Sequence, residues 1–283
     1  MAQDSAQRFR RALDGETVEP CVTGLSFVSP ELLSPASGVE EPARLLARTC
    51  AEAGLDFAFV PSWEPWAPDG VRELVLAGIA ALWVVPGVLW PALEQTGVEE
   101  GLRATAADPD SLAPALDAAA AASRSAVRAG LALGASAIVI AEDLAGAGGP
   151  IVSPDFAGDE VFPRFALLVD AAAHAGVPAV LHCDGDARVL YPAARRAGFA
   201  AVHGDLGGSA RFEKAASAAR LAAIGLVGGI ETADLTDAAS AALAGTRAGV
   251  FAAAGGFLVA DDGGISTREQ ATALIEALAA ARR

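Results

Sequence analysis

Eight short apolar runs recur along the chain, and each is followed by a stretch of helical periodicity. They fall at Cys21–Phe27, Leu55–Val60, Ala80–Val85, Ser136–Ile140, 178–182, 199–203, Gly225–Val227 and Gly256–Ala260. Glycine or proline punctuates most of them, as at Gly176-Val-Pro178 before the fifth. Continuous apolar runs of this length are what parallel strands covered on both faces require. Eight such units in 283 residues match the count and length of a closed (β/α)8 TIM barrel. An open doubly wound sheet is the alternative, but no Gly-x-Gly-x-x-Gly joins a strand to a helix. The Gly-Ala-Gly-Gly at 146–149 leads to Ser153-Pro154 and lacks a Walker lysine, so it is a poor phosphate loop.

The whole of 1–283 is therefore expected to form one barrel domain, with a short N-terminal capping helix inside residues 1–15. That helix, over 3–14, carries Phe9 and Leu13 on one face and Arg8, Arg10 and Arg11 around it. Further helices are expected over 40–53, near 69–78, and over 159–175, 187–197, 209–221, 235–248 and 267–281. A long helical region from Trp90 to Leu133 is expected to break at Gly97, Gly101 and Asp108-Pro109, with Asp108 as an N-cap. The final helix is expected to start from a Ser266 N-cap, with Glu269 in the capping-box position.

Composition narrows the function classes. Hydrophobic residues make up 53% of the chain, but no run approaches the roughly 20 apolar residues of a membrane span. The first residues are polar and amphipathic, without a signal-peptide core. Three widely spaced cysteines argue for a reducing, cytoplasmic setting rather than a disulfide framework. A net charge of −15 disfavours nucleic acid and anionic lipid as partners. Lys214 is the one lysine and reads as a helix-surface residue, which leaves little room for Schiff-base chemistry.

In a parallel α/β barrel, side chains at the carboxyl ends of the strands face the ligand site. Those ends carry Glu64, then Glu142 and Asp143, then His182, Cys183, Asp184 and Asp186, then His203 and Asp205, Glu231, and finally Asp261 and Asp262. At least half are expected to be turn or cap residues. Few arginines share these positions, so the mouth should be acidic and suited to a metal ion, a cationic substrate or acid–base work. Strand alternation lets His182 and Asp184 share a metal while Cys183 faces the helices. Trp63, Glu64 and Trp66 either form a partial aromatic cage for a cationic group or pack over the rim. His174, at a helix C-terminus, reads as structural.

Several segments match a known family. Gln7–Glu16, Ala141-Glu-Asp-Leu144 with Pro150-Ile-Val-Ser-Pro154, Val180-Leu-His-Cys-Asp-Gly-Asp186, Leu226–Glu231 and Gly255–Ala260 resemble the uroporphyrinogen decarboxylase family. That family includes zinc-dependent methyltransferases acting with corrinoid proteins, and its members are often dimers. The resemblance implies a small-molecule substrate, a corrinoid protein as a partner, a homodimer, and zinc or another divalent metal. Two departures qualify it. The decarboxylases' arginine-rich segment corresponds to Cys21–Pro30, which has no arginine; Asp184 stands where the methyltransferases carry their first zinc-binding cysteine, and their later cysteine falls near Asp262–Gly264, where there is none.

The expected site is thus oxygen-rich, with His182, Asp184 and Glu142 as metal ligands, or it holds no metal. Glu142, Asp143, His182 and Asp184 are the candidate catalytic residues. Trp63, Glu64, Trp66, Asp186, His203, Glu231 and Asp261 are the candidate substrate contacts. Methyl transfer is the leading expectation. The alternatives are decarboxylation of a small acid, with Asp143 or Asp184 as proton donor, and a non-catalytic binding protein.

Overall fold

The computed structural model describes residues 5–33, 41–204 and 208–283. Eight parallel strands form one sheet in sequence order. They are β1 (Gly24–Leu25), β2 (Phe57–Pro61), β3 (Ala80–Pro86), β4 (Ala137–Ala141), β5 (Ala179–His182), β6 (Ala201–His203), β7 (Gly225–Ile230) and β8 (Phe257–Asp261). A bridge from Thr23 to Val259 joins the first strand to the last, and the cylinder closes. This is the (β/α)8 barrel that the eight apolar runs predict.

The first strand is shorter than its apolar run because side chains intercept its amides. Asp56 Oδ2 accepts from the Thr23 N–H at 3.1 Å, and Asp261 Oδ1 accepts from the Ser26 N–H at 2.8 Å. Alternation sorts the other strands into two apolar layers. Phe57, Phe59, Leu82, Val84, Val139, Val180, Val227 and Leu258 fill the barrel interior, with alanines between them. Residues of opposite parity, such as Ile138, Ile140, Leu181 and Val202, pack outward on the helices.

The capping helix, Ser5–Leu13, closes the end of the barrel where the strands begin, and the Phe9 ring lies 5.5 Å from that of Phe57. Arg8 helps to hold this helix in place. It is buried, with Nε 2.7 Å from Asp56 Oδ1, while Arg282 reaches the other oxygen, Oδ2, at 2.7 Å. This ion cluster ties the first helix, β2 and the end of the last helix together.

Other helices follow expectation with three corrections. Gly97 does break the helical region, between Leu89–Thr96 and Val98–Ala107, but Gly101 lies inside the second helix. A Cβ at Gly101 would stand 2.5 Å from Leu93 Cδ2, so this glycine permits close packing rather than a break. Asp108 makes no side-chain cap; a 3-10 turn, Pro109–Leu112, precedes the helix Ala113–Leu133. The last helix, Arg268–Ala281, is capped by Thr267 with Gln270, one residue later than Ser266 with Glu269. Both pairs have capping-box spacing, and Gln270 Oε1 also accepts from the Ser266 N–H at 2.9 Å, which favours the later frame. No described helix is long and apolar enough to cross a membrane.

Candidate functional site

The candidate site begins with the pairing of β5 and β6. Register sets His182 directly beside His203, and both continue the inward-facing rows that run through Val180 and Ala201. The two imidazoles form the top layer of the barrel interior. Phe27 lies 4.6 Å from the His182 ring and Phe59 4.9 Å from the His203 ring.

Their hydrogen bonds fix both tautomers. His203 Nε2 is 2.9 Å from the carbonyl oxygen of Asp261, which only accepts, so this nitrogen carries the proton. Burial holds both rings well below the usual histidine pKa, and both are neutral. His203 Nδ1 is then an acceptor. It lies 2.8 Å from His182 Nδ1, which must be the donor. His182 Nε2 is left with a bare lone pair turned toward the mouth.

Two carboxylates stand in front of that lone pair. Asp184 Oδ1 lies 3.8 Å from Nε2 and Asp143 Oδ1 lies 4.0 Å from it. Ligand atoms from these three residues all fall within 4.8 Å of one another. The Asp184 N–H donates to Asp143 Oδ1 at 3.1 Å and holds that carboxylate in place. Both carboxylates are about half exposed, while the imidazole is buried. One neutral nitrogen and two oxygen ligands suit a borderline divalent ion such as zinc, with a coordination position left for substrate or water.

Glu142 is not the third member that the sequence suggests. Ala137, Val139 and Ala141 of β4 face inward, so Glu142 turns out and Asp143 turns in. The buried Glu142 carboxylate accepts from the N–H groups of Val88, Leu89 and Trp90, which open the helix Leu89–Thr96. Burial pushes its pKa up to about 7 against the pull of those three amides. It caps this helix, and Gly87 beside it has no room for a Cβ.

A cavity of about 270 Å3 opens over His182. Its walls are Phe27, Trp63 and Trp90, with Ala141, Glu142, Asp143, Asp184, Asp262 and the Gly263-Gly264 turn. Trp63 is there as expected, but Glu64 and Trp66 are not among the lining residues. Trp66 precedes the helix Ala67–Leu76 and its ring lies against Gly70. Trp90 takes the second aromatic place, fixed by its own N–H on Glu142 Oε1 at 2.9 Å and its indole N–H on the Asp143 carbonyl at 2.8 Å.

The other expected contacts divide. Glu231 lines an adjoining lobe with Asp184, Asp262 and the glycine turn. Asp186 does not line the cavity; both its oxygens hold Arg188 at 2.6 Å. Asp261 turns away to Ser26, and His203 is fully buried, so each acts behind the cavity wall. Cys183 faces the outer core, where burial pushes its thiol up to about 12. Asp205 lies outside the described residues. Phe27, Trp90 and the inward placement of Asp262 are the features that sequence reasoning misses.

Fold and site together define a parallel α/β barrel protein with a metal-competent group at the carboxyl-end mouth. The family model for uroporphyrinogen decarboxylase (URO-D) matches residues 74–259. The chain belongs to the uroporphyrinogen decarboxylase family. Among solved structures it resembles a methyltransferase from Methanosarcina mazei at 17% identity, covering 99% of this chain and 98% of that one with a TM-score of 0.72. A 3-keto-D-glucoside 4-epimerase from E. coli aligns at 14% identity over 93% and 99% of the two chains, TM-score 0.55. A D-psicose 3-epimerase from Clostridium cellulolyticum H10 aligns at 10% identity over 91% and 96%, TM-score 0.54. At these identities the likeness is one of fold. No curated protein matches the sequence.

Proposed function

We propose that the chain is a metal-dependent methyltransferase, moving a methyl group between a small substrate and a corrinoid protein. The observation that carries this reading is the bare Nε2 of His182 facing the carboxylates of Asp143 and Asp184 inside a small cavity. Asp143, His182 and Asp184 would hold the ion. A divalent metal there supplies Lewis acidity, lowering the pKa of a substrate nucleophile so that it reacts at neutral pH.

The chain's own residues do the rest. His203 and the Asp261 carbonyl orient the His182 ring, and the Asp184 N–H orients Asp143. Trp63, Trp90 and Phe27 pack the substrate and exclude water from it. Glu142 holds Trp90 by capping its helix. Similarity to the M. mazei methyltransferase supports methyl transfer over the family's other chemistry. So does the mouth: among the described residues no arginine or lysine lines it to receive substrate carboxylates.

Incubating the zinc-loaded chain with methylcobalamin and a panel of small thiols, alcohols and amines tests this. Substrate-dependent loss of methylcobalamin absorbance, abolished in His182→Ala, is the expected result. Carbon dioxide release from small acids, without metal or methyl donor, would instead favour a decarboxylase.

A further inference from the structure

At the end of the barrel opposite the mouth lies a cavity of about 430 Å3 that the proposed chemistry does not use. It sits where β6, β7 and β8 begin, beside the end of the capping helix. Leu13, Ala219, Leu226 and Phe257, all buried, form much of its wall. Gly256 adds bare backbone: its φ is +73°, and a Cβ there would meet no atom within 4 Å. The size falls within the roughly 300–1,000 Å3 of small-molecule pockets, which are mostly apolar with a few charged or polar groups.

The charged groups of this cavity are Arg195, Arg220 and Asp14. Arg195 lies in the last turn of the helix Tyr191–Arg196, and Arg220 in the last turn of Gly208–Ala222. A cation meets the helix dipole favourably at such places. That accounts for each arginine singly, but not for the convergence of two helices' arginines on one apolar cavity. Among the described residues neither has an ion-pair partner, although the chain holds 35 acidic residues to 20 basic. Asp14 has none either, so the cavity keeps a net positive charge. We infer that it binds a small amphipathic carboxylate, with its apolar body against Leu226 and Phe257 and its head on Arg195 and Arg220. A guanidinium offers a fork of N–H donors that matches the two oxygens of a carboxylate. Asp14 in the same cavity disfavours a doubly charged head such as a phosphate monoester.

This site is independent of the methyltransferase reading. Its test uses the full chain without added metal, so that nothing at the acidic mouth competes for a carboxylate. Calorimetric titration with n-hexanoate, n-hexanol and n-hexylamine compares three heads on one apolar body. Hexanoate is expected to bind roughly tenfold more tightly than hexanol, with hexylamine weakest, and to lose affinity as salt is raised. Arg195→Gln combined with Arg220→Gln should bring hexanoate down to the level of hexanol and leave hexanol unchanged. Both arginines are exposed, so the variant keeps the buried walls intact. Arg124→Gln removes an equally exposed charge from the helix Ala113–Leu133 and should leave hexanoate affinity as it is. Asp14→Asn should tighten hexanoate about two- to threefold. Absence of hexanoate binding, equal binding of hexanoate and hexanol, preference for hexylamine, or hexanoate binding that survives the double substitution overturns the inference.

Discussion

His182 and His203 meet Nδ1 to Nδ1 at 2.8 Å, and the Asp261 carbonyl beyond them decides which nitrogen of His182 faces the cavity. His203 is therefore a positioning residue. Replacing it with phenylalanine keeps a flat ring but leaves the His182 Nδ1–H without its acceptor. His203→Phe is expected to lower zinc affinity roughly 10- to 100-fold. Glutamine, which offers both an acceptor and a donor, should restore most of it. Nitrogen-15 NMR should show the His182 Nδ1–H in the parent chain and lose it in the phenylalanine variant.

The same pair makes the metal-free chain sensitive to acid. A histidine whose folded pKa is lowered from 6.5, to about 4 for His182, binds fewer protons folded than unfolded in that interval. Its stability is complete above pH 6.5 and is lost as pH falls toward 4. Glu142, raised from 4.5 to about 7, acts oppositely: its folded form keeps a proton that the unfolded chain releases. Urea unfolding between pH 7 and 5 should show declining stability, and a steeper decline in Glu142→Gln, where the opposing carboxyl is gone.

Glu142 should matter for stability more than for metal. Glu142→Ala orphans three buried amides at the start of the helix Leu89–Thr96, and a loss of about 3 kcal/mol is expected. Zinc stoichiometry, measured on the folded variant, should stay at that of the parent chain. Loss of zinc with stability intact would return Glu142 to the ligand set.

At the opposite end of the barrel, Asp56 holds Arg8 and Arg282 in a largely buried cluster. Asp56→Ala leaves the two guanidinium groups without it, and a loss of roughly 3–5 kcal/mol is expected from denaturant unfolding. Zinc affinity of the folded fraction should not change, because the metal-competent group lies at the other rim.

Alternation explains which parts of this site were legible in the sequence. A buried parallel strand announces itself as an apolar run, so the eight strands and their order could be read directly. His182 and Asp184 share a face by the same rule. Applied to Ala141-Glu142-Asp143 and Ala260-Asp261-Asp262, the rule selects Asp143 and Asp262 as the inward-turned carboxylates; both line the cavity, which Glu142 borders while its carboxylate caps the neighbouring helix. Choosing between neighbours needs the facing of the strand before them, which chemistry alone does not give. The role of His203 depends on its register against His182, and Trp90 enters from a different βα unit under the hold of Glu142. Neither relationship leaves a periodic trace. The burial of Arg8 is illegible for a similar reason: Asp56, and the Arg282 that shares it, lie far off in sequence.

Anomalous diffraction at the zinc edge, from crystals of the chain loaded with stoichiometric zinc, tests the central claim most directly. A single peak is expected at about 2.0–2.2 Å from His182 Nε2 and from one oxygen each of Asp143 and Asp184. A peak at Glu142, at His182 Nδ1 or away from the mouth, or no peak in the presence of zinc, would contradict it.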